Sequence, residues 1–188
     1  MKINIQSTDL ADVFLIRSNR FHDERGFFEE TWNAKCLSDN SIDINFVQDN
    51  HSFSKKAGTL RGMHYQAPPH AQDKLIRCSH GAIFDVVVDI RKGSSTYGKW
   101  LGFKLSDKNG KQLLIPKGFL HGFITLEPNT EVDYKCSDFF FPELDNSVRW
   151  DSLGIKWPLI NGFSPIISEK DNQAQSFANF LSPFNIEH

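Results

Sequence analysis

The stretch AIFDVVVDIR, residues 82–91, has the pattern that decides the fold class. Every second residue from Phe84 to Ile90 is apolar, so these residues share one face of an extended segment. The opposite face mixes apolar and acidic residues, namely Ile83, Asp85, Val87 and Asp89. The period of two predicts a β-strand whose apolar face packs in the core. The two aspartates are equally compatible with a solvent surface and with the wall of a pocket.

Eight further short runs are apolar or alternating and are separated by turn residues, so the chain predicts an all-β sandwich or barrel. Only two short helices are predicted, one from Thr31 or Asn33 to about Leu37 and one capped by Ser168. The tail after Pro158 is less regular, and we expect it to wrap the β core. The predicted strands cover residues 12–18, 44–54, 59–66, 73–80, 82–91, 100–106, 111–116, 121–127 and 130–138.

Length and composition predict one domain over residues 1–188 with a sizeable core, since 39% of the residues are hydrophobic and 17 are Phe. The formal net charge is −2, with 21 basic and 23 acidic residues interspersed. This balance provides no basic patch for nucleic acid and no polybasic run for a membrane surface. We therefore expect a protein that binds neither.

The cysteines and the N-terminal segment indicate the cellular compartment. Cys36, Cys78 and Cys136 are widely spaced and show no metal-ligand pattern, which predicts buried thiols in a reducing compartment. The first residues lack an apolar signal core, and no run approaches the length of a membrane span. The expected location is the cytoplasm.

TLRGMHYQ, residues 59–66, places Arg61 and His64 on what should be opposite faces of a strand. A lone histidine in such a strand is more often a hydrogen-bonded core residue than a ligand or a base. If both side chains face one pocket, the alternation must fail between them, and Gly62 is where a β-bulge can shift the register. An unbroken strand with Arg61 facing solvent would refute this hypothesis.

Other polar residues on the predicted strands are compatible with either a structural or a functional role. TEVDYKCSD, residues 130–138, turns Tyr134 inward, where its hydroxyl either satisfies a carbonyl or donates a proton into a cavity. The triplet Gln48-Asp49-Asn50 interrupts an apolar run, so it meets either backbone at a crossover or a ligand. HDERGFFEE, residues 22–30, is interpreted as a solvated turn.

A metal site is not favoured by the spacing of the histidines. All-β barrel proteins that bind iron or zinc usually need a His-x-His pair on one face of a strand. The segment MHYQ offers His64 alone, with Gln66 two residues later, and the other histidines do not compensate.

Read together, these segments resemble the dTDP-4-dehydrorhamnose 3,5-epimerase family of the cupin superfamily. The resemblance implies a cupin jelly-roll (double-stranded β-helix) barrel and no metal or organic cofactor. It also implies a homodimer in which N-terminal residues of one subunit reach towards the site of the other. The segments that match, in the family's order over almost the whole chain, are FHDERGFFEETWN, FVQDNHS, LRGMHYQ, QDKLIRC, DVVVDIRKGSSTYGKW, QLLIPKGFLHGF, VDYKCSD, IKWP and SEKD.

The activity implied is inversion of C3 and C5 of dTDP-4-dehydro-6-deoxy-D-glucose, which gives dTDP-4-dehydro-L-rhamnose on the route to dTDP-L-rhamnose. The C4 ketone acidifies both carbons, so inversion needs a base on one face of the sugar and an acid on the other. His64 matches the family's base and Asp171 the carboxylate that orients it. Tyr134 matches the proton donor, and Lys74 the group that stabilises the enolate.

The same resemblance implies a set of substrate-binding residues. Arg25, Arg61 and His121 would meet the diphosphate or the sugar. Phe140 stands where the family usually has a Tyr that stacks on thymine, and Asp145 where a Glu is common. Stacking uses the ring face, so Phe140 can still supply it. The full set is Arg25, Glu30, Gln48, Asp49, Asn50, Arg61, His121, Phe140, Asp145 and Lys170.

Three alternatives remain open. The first is an epimerase that inverts only C3 or acts on another nucleotide-linked 4-keto-6-deoxy sugar. The second is a metal-dependent cupin oxygenase, and the third is a cupin that binds a sugar nucleotide without catalysis.

Overall fold

The computed structural model describes residues 3–159, 162 and 164–186, and within these residues thirteen strands and two short helices occur. Helix α1 is Ala34–Ser38 and helix α2 is Glu169–Asn172. The strands are β1 Ile3–Ser7, β2 Phe14–Ser18, β3 Arg20–Asp23, β4 Gly26–Glu29, β5 Gln48–Ser54, β6 Leu60–Gln66, β7 Lys74–His80, β8 Ala82–Asp89, β9 Trp100–Ser106, β10 Lys111–Ile115, β11 Phe119–Thr125, β12 Thr130–Cys136 and β13 Asp145–Ser147.

The strands form two larger sheets and one hairpin. A six-stranded sheet has the order β1-β2-β10-β7-β12-β5, a five-stranded sheet has the order β13-β6-β11-β8-β9, and β3 pairs with β4 alone. All the pairings between these strands are antiparallel. Consecutive strands β6, β7 and β8 alternate between the two large sheets, so the chain winds around a common interior. The all-β prediction is confirmed.

The main core lies between the two large sheets. Ile76 and Val132 from one sheet meet Ile83 and Val87 from the other, and all four are at most 1% exposed. The alternation of β8 therefore places one of its faces in the interior, as its period of two requires. Its other face, which carries Val86 and Val88, also belongs to a buried cluster.

Non-strand segments cover the outer faces of both sheets. Trp157, Phe180 and Phe184 of the C-terminal region pack on the outer side of the five-stranded sheet, which confirms that the tail wraps the core. Leu37 of α1 packs against the six-stranded sheet. The predicted caps are confirmed as well: Asn33 accepts a hydrogen bond from the Cys36 backbone, and Ser168 accepts one from that of Asp171.

All nine predicted strands are present, with ends that shift by a few residues. Four short strands were not predicted: β1, β3, β4 and β13. The interpretation of residues 22–30 as a solvated turn holds for the exposed tip at Glu24 and Arg25, but the residues on either side pair as the hairpin of β3 and β4, which begins at Arg20. Its aromatic residues stay exposed, Phe28 to 66%, so no amphipathic pattern marks the strands.

The two aspartates of β8 are both fully buried, which decides against the surface alternative. Asp89 accepts hydrogen bonds from Arg91, Ser94 and Thr96 and so closes the loop that follows β8. Burial alone would raise the pKa of Asp89, but these hydrogen bonds hold it below the usual 3.8.

Replacing Asp89 by asparagine should lower the free energy of unfolding by about 2 to 4 kcal/mol at pH 7, because it removes a buried charge from its partners. A carboxyl group with a depressed folded-state pKa contributes fully above the unfolded pKa and loses its contribution as the pH falls through the folded value. The difference between wild type and Asp89→Asn should therefore shrink below pH 3.8. Urea unfolding between pH 7 and pH 3 measures it, and a constant difference would contradict the expectation.

The β-bulge expected at Gly62 is present. His64 pairs with His121, but Arg61 pairs with Phe123, so β6 has one residue more than β11 between these pairs. Gly62 has φ +126°, and a Cβ there would meet Gly122 Cα at 2.6 Å. A side chain at residue 62 would thus be strained and would collide with the neighbouring strand.

Gly62→Ala should lower the free energy of unfolding by about 3 kcal/mol, which combines backbone strain with a steric clash. Gly26→Ala is the matched control, since Gly26 has φ +130° and a methyl group there would meet no atom within 4 Å. Gly26→Ala should lower the free energy of unfolding only by the contribution of backbone strain, about 1 to 2 kcal/mol. Equal losses in urea unfolding would show that the contact with Gly122 is unimportant.

Candidate functional site

The candidate site is a polar layer in the barrel interior, next to the apolar core. It is built from both sheets, because the strands that carry its residues lie opposite one another. Its members are Gln48, Asn50, Arg61, His64, Lys74, Asp85, His121 and Tyr134.

Next to the bulge, Arg61 reaches towards the sheet that carries Tyr134. Arg61 is exposed, yet its guanidinium donates to Phe53 O at 3.2 Å and lies 3.4 Å from Ser54 Oγ, both on β5 of the other sheet. It therefore spans the gap between the sheets at the entrance rather than facing away from the barrel.

His64 is paired with a carboxylate that lies 107 residues away in the sequence. Its Nε2 lies 2.6 Å from Asp171 Oδ1, and Asp171 Oδ2 accepts a hydrogen bond from the Gly62 backbone at 3.3 Å. Asp171 is 5% exposed and His64 31%. Burial alone would raise the pKa of Asp171, but the hydrogen bonds from His64 and Gly62 hold it below its usual range. Asp171 thus remains ionised and orients the imidazole.

Tyr134 projects from the opposite sheet. It packs against the apolar core, and its hydroxyl has no hydrogen-bond partner within the described ranges. Burial raises the pKa of Tyr134, while the nearby Arg61 partly opposes that rise. The phenol therefore keeps its proton at neutral pH and is available to donate it.

Lys74, at the start of β7, is partly buried and lies near two carboxylates. Burial lowers the pKa of Lys74, and the charges of Asp145 and Asp85 act in the opposite direction. A cation held in such surroundings can stabilise negative charge that develops on a bound molecule.

The loop after β12 carries Phe140, a residue that is 52% exposed. Backbone hydrogen bonds to glutamine side chains fix this loop. Phe140 N donates to Gln48 Oε1 and Phe141 N donates to Gln66 Oε1, both at 2.9 Å. Gln66 also donates to Phe139 O at 2.9 Å. The ring is thus presented at the rim of the site on a constrained backbone.

Asp145 and Lys170 form an ion pair, with Lys170 Nζ 2.6 Å from Asp145 Oδ2. Asp145 pairs with Gln66 across β13 and β6, and Lys170 precedes Asp171 in α2. Both predicted binding residues therefore lie beside the His64 pair.

Three predicted binding residues are not brought into this layer. Arg25 is 86% exposed at the hairpin tip and pairs with Asp23. Glu30 accepts hydrogen bonds from Asn33, and Asp49 pairs with Lys135 on the outer face of its sheet. The triplet, which begins β5, is split accordingly, with Gln48 and Asn50 inward and Asp49 outward.

Two residues that the sequence reasoning did not assign also belong to the site. Asp85 lies in the polar layer, and its place on the mixed face of β8 was the available signal. Gln66 fixes the Phe140 loop and is 4% exposed, but β6 shows no regular alternation that would have marked it.

In the described part of the chain, no group of three or more His, Cys, Asp or Glu side chains is arranged to hold a metal ion. Among the same residues, no helix is long and apolar enough to cross a membrane.

A histidine on one sheet, paired with a carboxylate from α2, and a protonated phenol on the facing sheet can act as base and acid on two sides of one bound molecule. Arg61 and Lys74 add positive charge for an anionic ligand.

Comparisons with known proteins show which family the chain is similar to. A family model described as dTDP-4-dehydrorhamnose 3,5-epimerase matches residues 7–179. A curated protein of that name from Sinorhizobium fredii is 46% identical over 181 residues, which is 95% of this chain and 92% of that protein.

Two solved structures are closely similar. The dTDP-4-dehydrorhamnose 3,5-epimerase from Bacillus anthracis, with TDP and PPi bound, has a TM-score of 0.90 and 44% identity over 94% of this chain and 100% of that chain. The dTDP-6-deoxy-D-glucose-3,5-epimerase from Legionella pneumophila, in complex with dTDP-4-keto-L-rhamnose, has a TM-score of 0.90 and 41% identity over 95% and 94%. The cupin jelly-roll barrel implied by the resemblance is confirmed.

Proposed function

The chain belongs to the dTDP-4-dehydrorhamnose 3,5-epimerase family, and on that premise we propose that it inverts C3 and C5 of dTDP-4-dehydro-6-deoxy-D-glucose in dTDP-L-rhamnose biosynthesis. The observation that carries the proposal is the 2.6 Å pair of His64 on β6 and Asp171 on α2, with Tyr134 on the opposite sheet. Epimerisation needs this combination of an oriented base and an opposed acid.

His64 takes the proton from the carbon next to the C4 ketone, and the electron pair of that C–H bond moves into an enolate at O4. The negative charge of Asp171 stabilises the imidazolium that forms. Lys74 stabilises the enolate oxygen. Tyr134 then returns a proton to the same carbon from the other face, which inverts it. Proton exchange with solvent returns His64 and Tyr134 to their starting states, and the second carbon then follows the same steps.

Incubation with dTDP-4-keto-6-deoxyglucose in deuterated water tests this function, because each inverted carbon takes a deuteron from the solvent-exchanged acid. Deuterium should appear at both C3 and C5 of the product. Label at C3 alone would contradict the double inversion and favour the C3-only alternative, and no label would exclude this substrate.

Two other functions are decided by separate measurements. Stoichiometric iron or zinc in the purified protein, with activity lost on chelation, would establish a metal-dependent cupin. Tight binding of the nucleotide sugar without any exchange of its C3 or C5 hydrogens would establish a binding protein.

Phe140 should contribute to binding of the nucleotide rather than to chemistry. Phe140→Ala should raise KM about tenfold, since stacking on a base contributes on the order of 1 to 3 kcal/mol, and kcat should change little. Phe139→Ala is the matched control, because Phe139 precedes it in the same loop and is 59% exposed. An unchanged KM in Phe140→Ala would show that its ring does not meet the base.

We also propose that the chain is one domain that acts as a homodimer, with the hairpin of one subunit completing the site of the other. Arg25 lies outside the polar layer of its own chain, and Phe21, Phe27 and Phe28 of the same hairpin are more than half exposed. Such a patch of aromatic residues is typical of an interaction surface.

Hybrid dimers test the shared site. Arg25→Ala and His64→Asn subunits, each inactive or weak alone, should regain activity when mixed, because one site of the hybrid then has both native residues. Activity that stays at the level of the separate variants would show that Arg25 acts within its own subunit or not at all.

The proposed location is the cytoplasm. Cys78 and Cys136 are buried thiols in this structure, and burial raises the pKa of Cys78 to about 12. Such unreactive thiols are typical of proteins in reducing compartments.

A further inference from the structure

A second histidine–aspartate pair lies inside the barrel, beside the first. Nε2 of His121 on β11 lies 2.6 Å from Oδ1 of Asp85 on β8. The Asp85 side chain is 0% exposed and that of His121 is 11% exposed. His121 is the cross-strand partner of His64, so the two pairs are neighbours in the polar layer.

The Asp85 carboxyl group is only partly hydrogen bonded. Its Oδ2 is buried and has no hydrogen-bond partner in the part of the chain that the structure describes. Burial raises the pKa of Asp85, while the charges of His121 and Lys74 oppose the rise. A buried polar atom without a partner is costly, and groups of this kind concentrate at functional sites.

The chemistry of the pair decides which His121 nitrogen can meet a ligand. A carboxylate only accepts hydrogen bonds, so an ionised Asp85 requires the proton of His121 on Nε2. Nδ1 is then the ring nitrogen left for substrate. In a neutral ring Nδ1 is an acceptor, which suits a hydroxyl group and does not suit a phosphate oxygen, because that is also an acceptor.

We propose that Asp85 is a positioning residue that holds the Nε2 proton of His121, so that Nδ1 accepts a hydrogen bond from a hydroxyl group of the bound sugar. This inference rests on the proposed epimerase function and deepens it, because it assigns His121 to the sugar rather than to the diphosphate. Lys74 faces the same carboxylate and favours its ionised form.

The tautomer of His121 can be observed directly in the wild-type protein. Long-range ¹H–¹⁵N NMR spectra of histidine-labelled protein, assigned with His121→Asn, should show a proton on Nε2 of His121. A neutral ring that carries its proton on Nδ1 would overturn the proposal. This measurement needs no altered carboxylate, so it decides the question even if an Asp85 variant does not fold.

Asp85→Asn should lower kcat/KM for the dTDP-4-keto sugar about tenfold or more, as loss of an orienting partner commonly does. The amide can present its NH₂ group to Nε2, so the Nδ1–H tautomer should appear in the NMR spectrum. The affinity for dTDP, which lacks the sugar, should stay within about twofold of wild type. A comparable loss of dTDP affinity would place His121 at the diphosphate and overturn the assignment.

Asp89→Asn is the matched control, since Asp89 lies four positions further on the same face of β8 and is equally buried. It should lose stability while the His121 spectrum and kcat/KM stay as in wild type. In the His121→Asn background, Asp85→Asn should cause little further loss of kcat/KM. A full additional loss there would show that Asp85 acts without His121.

Failure of this inference can be told from failure of the proposed function. Wild-type turnover of the dTDP-4-keto sugar establishes the function, and the His121 spectrum then decides the role of Asp85. Absence of wild-type turnover would refute the function and, with it, the assignment of His121 to the sugar of this substrate.

Discussion

His64→Asn should lower kcat for the dTDP-4-keto sugar about 10²- to 10⁴-fold, the range that a positioned general base contributes. The asparagine amide keeps a polar group in the site, but it is too short to take the place of Nε2, which now contacts Asp171 at 2.6 Å. It cannot accept a proton from carbon. The affinity for dTDP should stay within about twofold, because the base acts on the sugar ring.

The matched control for this prediction is His51→Asn. His51 also pairs with an aspartate at 2.6 Å, but its partner is Asp133 on the outer face of the sheet and its side chain is 54% exposed. It should retain wild-type kcat. Parallel losses of kcat and dTDP affinity in His64→Asn would indicate a binding role instead of a catalytic one. Turnover assays measure kcat, and calorimetric titration with dTDP measures the affinity for dTDP.

Tyr134→Phe should lower the rate of inversion about 10²- to 10⁴-fold while the substrate still exchanges hydrogen with solvent. The ring stays in place against the apolar core and only the hydroxyl is lost. His64 and Asp171 remain able to form the enolate and to return a proton to the face from which it came. Deuterium should therefore enter C3 or C5 with retention of configuration, at a rate well above that of inversion.

Tyr65→Phe is the control for the loss of a tyrosine hydroxyl. Tyr65 is 7% exposed and lies in the cluster on the outer side of the five-stranded sheet, and burial raises its pKa as well. It should leave inversion unchanged. If Tyr134→Phe loses exchange and inversion together, Tyr134 is needed for formation of the enolate and not only for the return of the proton. NMR of the recovered sugar nucleotide in deuterated water distinguishes these outcomes.

The strands that build the barrel were predictable because their signal is local. In β12, alternation over a few residues fixes which side chains face inward, and the structure keeps that assignment. In β8 both faces are buried, and the mixed face rather than the apolar one meets the main core. The bulge at Gly62 was also predictable, since two functional side chains three positions apart cannot share a pocket on a regular strand. The hairpin of β3 and β4 was missed because its aromatic residues remain exposed and show no alternation.

By itself, the sequence determined the all-β class, most strand positions, the caps of both helices and, through its resemblance to a family, the candidate residues. Only the tertiary structure decided how these residues act together. Asp171 reaches His64 across 107 residues, and Asp85 becomes a buried partner of His121 through pairing of β8 with β11. Burial and hydrogen bonding depend on which strands lie side by side. Local periodicity carries no record of those neighbours, so it could place Asp85 on a mixed face but could not say what that face meets.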